Sequence, residues 1–507
     1  MKLNNFAGGL NINLDPTLLE ATEALVYSNI DSAKGALHSI NNYTKQGKKL
    51  GRWFHKFNSV WYSSINNREY LEYRGALYWT ERDNHPKKVV FGIEKKLGIS
   101  PPSNALTSVI NATGTIITGT SVTIQYAYTF YDSTEGVESP PSLFSTELVL
   151  DAGESVDLSG FQTSPNTAVD KIRLYRVGAL TTDFTLIATL ANGTATYNDN
   201  ISPLDAPGDI LESYLYSPPQ LGIRYLTEAY GILFAALGNT LVYSAIGLPD
   251  AWPAGNTIPV SGDITGLYAV SDGLVIFTKS KTHLLLGSSP ETFHLITLSP
   301  EHGCLDHLSL AYVRNSLMWI SAQGLALLVG GGITIATKDK LGLIKFNPIK
   351  AVSYDEQYWL TLEDGSIFIA DFRTGRPVFK YCNFTLANVY NLGVFDNILY
   401  GVIDEELVTM HTGEPIALSY TSPRLTEGNA TVSKLYNNVY VRADGEFILD
   451  IVIDGKKVSS NKLVGDKLHD ISVPQEDQRG TDIQFVINGV GVVREIEYKV
   501  VGRENGR

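Results

Sequence analysis

The sequence predicts an all-β fold: a β-propeller of about six four-stranded blades, an inserted fibronectin-III- or immunoglobulin-like sandwich, and a C-terminal β-sandwich. Three observations lead to this prediction. A hairpin unit recurs about every 42 residues, and two segments outside this repeat consist of short alternating strands. The 507 residues also include 27 Tyr and 45 Gly. Tyr suits half-buried pleated surfaces and Gly supplies tight turns, so this composition favours strands over helices.

The repeat lies between residues 225 and 402 and is marked by two-residue turns. The first turns of successive units follow one another at intervals of 42, 42, 41 and 41 residues: Tyr230-Gly231, Asp272-Gly273, Arg314-Asn315, Asp355-Glu356 and Asp396-Asn397. A second turn follows each of them eight or nine residues later. Apolar runs bounded by such pairs indicate β-hairpins, and this period is typical of a four-stranded blade. A solenoid, or an antiparallel sandwich with coincidental spacing, is the alternative.

A further copy of the unit lies upstream, at residues 57–80, about 140 residues before the others. If it belongs to the same ring, N-terminal strands pair with the C-terminal blade and another domain is inserted. The predicted organisation has five parts: an N-terminal arm with the first strands (1–45), a first blade (46–97), the inserted sandwich (98–205), the remaining blades (206–418) and the C-terminal sandwich (419–507).

The remaining segments are predicted from their local patterns. Ser121–Tyr131 alternates strongly, as a half-buried strand does. In the C-terminal part, Asp444-Gly445 and Asp454-Gly455 indicate turns, and the strands are expected at Lys434–Arg442, Phe447–Ile453, His469–Val473, Asp482–Asn488 and Val493–Val500. Asp15-Pro16 predicts a short helix over Thr17–Ala24. Asn4–Asn13 offers little core and is expected to be an arm that orders against something else.

Charge and targeting signals limit the classes of function. The net charge is −13 and the pI about 5.2. An acidic surface repels phosphates, which disfavours a sequence-reading DNA binder but permits nucleic acid to slide past. The N-terminus has no signal-peptide pattern, and the longest low-charge run, Gly324–Ala336, is too short to span a bilayer. We therefore expect a soluble protein made in a cytoplasm, without a membrane-spanning segment.

No catalytic, cofactor-binding or metal-binding residue is assigned, and the chain is predicted not to be an enzyme. Cys304 and Cys382 are interpreted as small buried side chains. Glu301–His307 holds two His and one Cys but no fourth soft ligand, which favours a polar loop between blades. Gly330–Gly332 lacks the Lys-Ser/Thr of a phosphate loop. Ser271-Asp272-Gly273 and Ser353-Tyr354-Asp355 lack the spacing of the Ser-x-Asp-x-Gly-x-x-Trp turn of propeller sialidases.

Several motifs, in order along the chain, resemble those of one viral family. They are Phe6-Ala7-Gly8-Gly9-Leu10-Asn11, Leu14-Asp15-Pro16, Ser28–Leu37, Ala127-Tyr128-Thr129-Phe130, Gly136–Ser142, Ile172–Arg176, Leu286–Phe293 and Gly303-Cys304. The chain is similar in these motifs to the tail hub or nozzle proteins of short-tailed bacteriophages, which include packaged-DNA-stabilisation and tail tubular B-type proteins. It is much shorter than the larger tubular proteins.

The resemblance implies a structural component of the phage tail. It implies a hexameric ring below the portal and adaptor proteins, carrying tail fibres or receptor-binding proteins outside. Double-stranded DNA would pass along its axis, without sequence-specific binding, during retention and ejection. The chain would be synthesised in the host cytoplasm and end in the virion. Two alternatives stay open: a carbohydrate-binding or glycan-processing propeller, and a monomeric scaffold of cellular origin.

Overall fold

The computed structural model describes residues 1–116, 121–178, 180–202, 205, 208–384, 389–428 and 431–502. The chain divides into two compact units. Unit 1 comprises residues 1–66, 276–283 and 297–507, and unit 2 comprises residues 67–275 and 284–296. Strands β1–β9 are Lys2–Leu3, Gly9–Leu10, Glu23–Ala24, Val26–Ser28, Ile30–Asp31, Leu37–Ser39, Thr44–Lys49, Trp53–Phe57 and Val60–Ser64.

The remaining strands follow in chain order. Strands β10–β25 are Arg68–Tyr73, Ala76–Glu81, Lys87–Val90, Ile93–Lys96, Thr107–Asn111, Val122–Asp132, Val137–Glu138, Leu148–Leu150, Ser155–Ser159, Lys171–Gly178, Thr181–Ala191, Thr196–Asp199, Arg224–Ala229, Ile232–Leu237, Thr240–Tyr243 and Thr257–Pro259. Strands β26–β46 are Ile264–Val270, Gly273–Thr278, Thr282–Leu286, His294–Ser299, Ala311–Val313, Ser316–Ser321, Gly324–Val329, Gly332–Ile335, Pro348–Tyr354, Gln357–Leu362, Ile367–Asp371, Val378–Cys382, Val389–Phe395, Ile398–Ile403, Glu406–Thr409, Leu418–Thr421, Lys434–Ile453, Lys456–Val464, Lys467–Ser472, Arg479–Gly480 and Ile483–Gly502. The helices are short: α1 (Lys338–Leu341) and 3-10 turns at Ser213–Leu215, Pro290–Thr292, His307–Ser309 and Gln475–Asp477.

The fold class is confirmed: the chain is all-β and contains β-propeller blades. In unit 2, β10–β13 and β22–β25 are four-stranded antiparallel meanders. Their apolar faces share one core, in which Tyr78 packs with Leu226 and Leu233. Face-to-face packing of this kind buries the two surfaces that a single blade leaves apolar. The number of blades in a ring and the predicted domain boundaries stay predictions.

Unit 1 contains the same kind of sheet. Strands β30–β33 and β34–β37 are meanders that share a core through Met318 and Leu360. On its other face, β34–β37 packs through Trp359 and Ile369 against β38–β40. The first turn of each of these blades is left-handed at both positions: φ is 44° and 63° at Arg314-Asn315, and 48° and 56° at Asp355-Glu356. This is the type I′ geometry that matches the twist of a hairpin.

The blade β38–β40 is completed by the N-terminal strand β7, which pairs with β40 in the register Thr409↔Thr44 and Val408↔Lys45. The structure thus shows the predicted pairing of an N-terminal strand with the C-terminal blade. The composition of the first blade differs from the prediction. Strand β9 pairs with β8 in a separate two-stranded sheet, and the blade itself is β10–β13.

The inserted segment is a sandwich of the sheets β14-β18-β21 and β16-β15-β19-β20, with β17 also paired to β15. Side chains of both sheets, among them Tyr128 and Leu158, form its core. Arg176 on β19 lies 2.6 Å from Asp199 on β21, joining the two sheets by a fully buried ion pair. A buried pair of this kind is retained only with close geometry and further hydrogen bonds, and Tyr126 donates one to Asp199 at 2.7 Å.

Three serines in the segment 139–145, which also contains Pro140 and Pro141, form hydrogen bonds with the backbone of β15. The backbone N–H of Ser142 donates to the carbonyl of Tyr128, and the Ser142 hydroxyl accepts from the N–H of Tyr128 at 3.1 Å. Ser139 and Ser145 do the same for Phe130 and Tyr126. The hydroxyls therefore satisfy the edge of β15 where two prolines, which lack N–H groups, could not continue a ladder.

The C-terminal part differs from the prediction in its strands. The predicted turn at Asp444-Gly445 lies inside the 20-residue strand β42, which pairs along its length with the 20-residue strand β46. Gly445 opposes Gly491, and the φ angles there are +134° and +132°. The ladder therefore bends at glycines instead of ending. β42 and β46 belong to the same extended sheet as β34–β37, linked through β4 and β41.

The N-terminal predictions are partly wrong. Residues 17–24 form turns followed by β3, and not a helix: Asp15 accepts from the N–H of Thr17, but Glu23 and Ala24 pair with Gly9 and Leu10 of β2. The segment 4–13 orders against its own chain: Phe6 is fully buried, and Lys340 Nζ donates to the carbonyl of Gly8 at 2.5 Å. One aromatic side chain therefore anchors what the sequence presented as an arm.

Candidate functional site

A cavity of about 480 Å³ opens in unit 1 between the N-terminal segment 30–41 and the blade β34–β37. The ends of β36 and β37 supply its polar floor, and the turn after β34 lies at its rim. The N-terminal segment supplies its rim because β4 and β6 pair with β41 and β46. The lining comprises Ile30, Asp31, Ala33, Lys34, His38, Ser39, Ile40, Asn41, Tyr354, Asp355, Gln357, Trp359, Ile369, Arg373, Lys380, Tyr381, Cys382 and His411.

A buried carboxylate organises the floor. Asp371, at the end of β36, is 5% exposed and lies 2.6 Å from Arg373 Nη2 and 3.0 Å from Lys380 Nζ. Gln357 donates a third contact to the same carboxylate at 2.8 Å. Burial raises the pKa of Asp371, but hydrogen bonds from Arg373 and the charge of Lys380 outweigh it and lower this pKa to about 2. The carboxylate is therefore ionised at neutral pH.

Arg373 links the floor to the rim. Its guanidinium also lies 2.7 Å from Asp31 Oδ1 and 3.1 Å from Asp355 Oδ2. Burial lowers the pKa of Arg373, whereas the hydrogen bond and charge of Asp371, followed by Asp31, raise it more strongly. One cation thus holds three carboxylates from β5, from the turn after β34, and from β36. The charges of Arg373 and Lys380 are therefore already compensated by carboxylates, whereas Lys34 of the lining is exposed.

Aromatic rings form another part of the lining. Tyr354 and His411 are parallel within 12°, with ring centroids 6.5 Å apart, and Trp359 meets His411 edge-on at 5.1 Å. The indole N–H of Trp359 donates to Gln357 Oε1 at 2.9 Å, which fixes the amide that contacts Asp371. Burial is the main cause that lowers the pKa of His411, so the imidazole is neutral at pH 7.

The cysteines and the loop singled out in the sequence do not add a reactive centre to this cavity. Cys304 and Cys382 are buried thiols, as predicted. Cys382 lines the cavity, but burial raises its pKa well above the ordinary value and keeps it a thiol. Cys304 donates to the carbonyl of Asp306 at 3.1 Å. Within the described residues, no group of three or more His, Cys, Asp and Glu side chains could hold a metal ion.

Gly330 and Gly331 form the turn between β32 and β33, at φ +57° and +81°. A hairpin turn thus accounts for that glycine run. Over the part of the chain that the structure describes, no helix is long and apolar enough to cross a membrane.

The sequence did not identify this cavity. The sequence predicts a turn at Asp355, which the structure confirms, but nothing in the local sequence indicates that this residue lines a cavity. The available signal was Asp371-Phe372-Arg373 directly after the apolar strand β36, because charged residues at the end of a buried strand need partners. The partner Asp31 lies 342 residues away from Arg373.

No protein-family model and no curated protein matches the chain. Solved structures show low-level similarity. BamB from Moraxella catarrhalis is 13% identical, with 50% of this chain and 87% of that chain covered and a TM-score of 0.28. Virginiamycin B lyase from Staphylococcus aureus is 11% identical, with 72% and 97% covered and a TM-score of 0.32. The WD40 propeller domain of Doa1 is 10% identical, with 66% and 88% covered and a TM-score of 0.28. The blades of this chain are defined by their strand pairings.

Proposed function

We propose that the chain is a structural subunit of a short-tailed bacteriophage tail, forming the nozzle or hub ring below the portal and adaptor. In this role six copies surround the path of the DNA and carry fibres or receptor-binding proteins outside. The proposal is supported by the N-terminal motifs that resemble that family. In this chain these motifs anchor the N-terminal strands in unit 1.

The opening motif Phe6–Asn11 locks the N-terminus into the core of unit 1. Tyr27 donates its hydroxyl to the carbonyl of Phe6 at 2.8 Å, and both side chains are buried. A Cβ on Gly8 would lie 2.5 Å from the backbone of Thr22, so the motif needs a glycine there. The N-terminal amine of Met1 donates to the carbonyl of Tyr498 at 2.8 Å, which ties the start of the chain to its last strand.

The observation that carries the proposal is this closure of unit 1 by its N-terminal strands. β1 pairs with β46, β4 with β41, and β7 with β40, so residues 2–49 are held at three places by residues 406–497. A subunit that confines DNA under pressure needs its terminal strands held in this way, since an unpaired end frays first. The net charge of −13 supports the same role, because carboxylates along the path would not retain phosphates.

Electron microscopy of the purified full-length chain, alone and mixed with the cognate portal and adaptor, tests the proposal. The expected result is a ring of six subunits with a central pore, in solution or on the adaptor. A chain that stays a single subunit under both conditions and is absent from phage particles would overturn it. Labelling of intact particles with an antibody against the chain separates failed assembly in vitro from a wrong assignment.

A further inference from the structure

We propose that the cavity in unit 1 between residues 30–41 and the blade β34–β37 binds a neutral saccharide of one or two rings. This inference is separate from the assembly role, which does not require a ligand. It rests on the charges of the lining residues, on the carboxylate and amide groups at the rim, and on the aromatic side chains of Tyr354 and His411.

The charge balance selects the class of ligand. Arg373 is bound by Asp31, Asp355 and Asp371, and Lys380 is bound by Asp371. A phosphate or carboxylate could approach the exposed Lys34, but Arg373 and Lys380 already hold carboxylates, and the anion would meet the remaining carboxylate oxygens of Asp31 and Asp355. A cationic ligand would compete with Arg373 for the same groups. An apolar ligand would desolvate these polar groups without replacing their hydrogen bonds. A neutral polar ligand avoids all three costs.

The rim offers carboxylate and amide groups that can bind the hydroxyls of a sugar. Among the described contacts, Arg373 uses Oδ1 of Asp31 and Oδ2 of Asp355. The second oxygen of each carboxylate can then accept from a ligand hydroxyl, and the exposed amide of Asn41 adds a donor and an acceptor. The buried network around Asp371 fixes the guanidinium, so the rim is ordered before a ligand arrives. Such preorganisation lowers the entropic cost of binding.

Two aromatic side chains of the lining complete the site. Tyr354 is half-buried, and neutral His411 lies parallel to it. A sugar ring presents C–H groups on one face and hydroxyls at its edges, so it can contact a ring with its face while its edge meets Asp31 and Asp355. The volume of about 480 Å³ falls in the range of small-molecule sites, roughly 300–1,000 Å³.

Saturation-transfer NMR and calorimetry on the full-length protein test the inference. The probes are glucose, galactose, N-acetylglucosamine, maltose, lactose and chitobiose, with inorganic phosphate as the anionic comparison. We expect at least one neutral saccharide to bind with Kd below about 5 mM and phosphate not to compete with it. Tyr354→Ala should weaken that binding by about 10-fold or more, and Asp355→Asn by about 3-fold or more.

Two variants serve as matched controls. Asp396→Asn changes the same turn position one blade later, where φ is 53° as against 48° at Asp355. Tyr312→Ala removes an exposed Tyr of β30 that does not line the cavity. Both should leave Kd within about 2-fold. The inference is overturned if no neutral saccharide binds at about 20 mM, if phosphate displaces the saccharide, or if the cavity variants bind as the controls do. Ring formation, measured separately, is expected in every variant.

Discussion

Lys88 Nζ lies 2.7 Å from Asp250 Oδ2, and this contact joins β12 of one blade to the loop after β24 of the next within unit 2. Lys88 is 3% exposed and also lies 2.7 Å from Glu135, in the turn between β15 and β16 of the sandwich. Lys95 bridges Glu135 and Asp132 in the same turn. Two lysines and three carboxylates therefore fix the sandwich to the two blades.

Removing Lys88 should destabilise unit 2 strongly. In Lys88→Met, Asp250 and Glu135 lose a cation in a site with little water, which typically costs about 3–5 kcal/mol. Urea unfolding followed by fluorescence measures this loss. The matched control is Lys87→Met, which removes the neighbouring lysine from an exposed pair with Glu94 and should cost below about 1 kcal/mol. Equal losses of unfolding free energy in the two variants would show that the buried cluster stabilises unit 2 no more than an exposed ion pair does.

Stability should fall in acid through Asp371. Its pKa of about 2 in the folded chain is below the ordinary 3.8, so the folded state binds the proton less readily than the unfolded state. The carboxylate therefore contributes stability above about pH 4, and this contribution, about 2 kcal/mol, is lost as the pH falls towards 2. The free energy of unfolding of Asp371→Asn should lack this component between pH 5 and pH 2. Asp396→Asn, at an exposed carboxylate, should follow the wild type. Parallel pH curves for all three proteins would contradict the assignment.

Gly491→Ala should prevent the bend between β42 and β46. An added Cβ would lie 2.1 Å from the carbonyl oxygen of Asp444, and the φ of +132° is unfavourable to any side chain. We expect a loss of about 3 kcal/mol or more, or failure to accumulate folded protein. Gly465→Ala has a positive φ of +85° but no atom within 4 Å of its Cβ, so it should cost only about 1–2 kcal/mol. Similar costs for both variants would mean that the backbone angle, and not the opposing strand, limits position 491.

These features show which parts of the structure local sequence could predict. Four of the five first turns of the repeat have left-handed residues as expected, because a type I′ turn is set by its own dipeptide. The exception is the turn predicted at Asp272-Gly273: Gly273 already begins β27, and the turn lies at Ser271-Asp272. Asp444-Gly445 has the same local pattern but continues a strand, because Gly491, 46 residues later, allows the opposing backbone to approach. That outcome depends on the partner strand and cannot be read from the dipeptide.

The candidate site was less predictable than the fold. Its members come from residues 30–41, 354–382 and 411, and no short spacing connects them. Each taken alone has an ordinary interpretation: Asp355 is a turn residue and Trp359 is a core residue. Pairing of the N-terminal strands with β41 and β46 brings Asp31 to Arg373. The site could therefore be predicted only after the pairing of the N-terminal strands with β41 and β46 was known.

The pairing of β7 with β40 sets the order in which the chain can mature on the ribosome. Lys45 leaves the exit tunnel long before Val408, its partner, is translated. At about 5–20 residues per second, the strand waits roughly 20–70 s without its neighbour. During that interval its backbone donors and acceptors are open to other chains. Thr44–Lys49 contains three Lys and one Gln among its six residues, and all six are exposed. Charged side chains of this kind on an unpaired strand oppose its association with other chains.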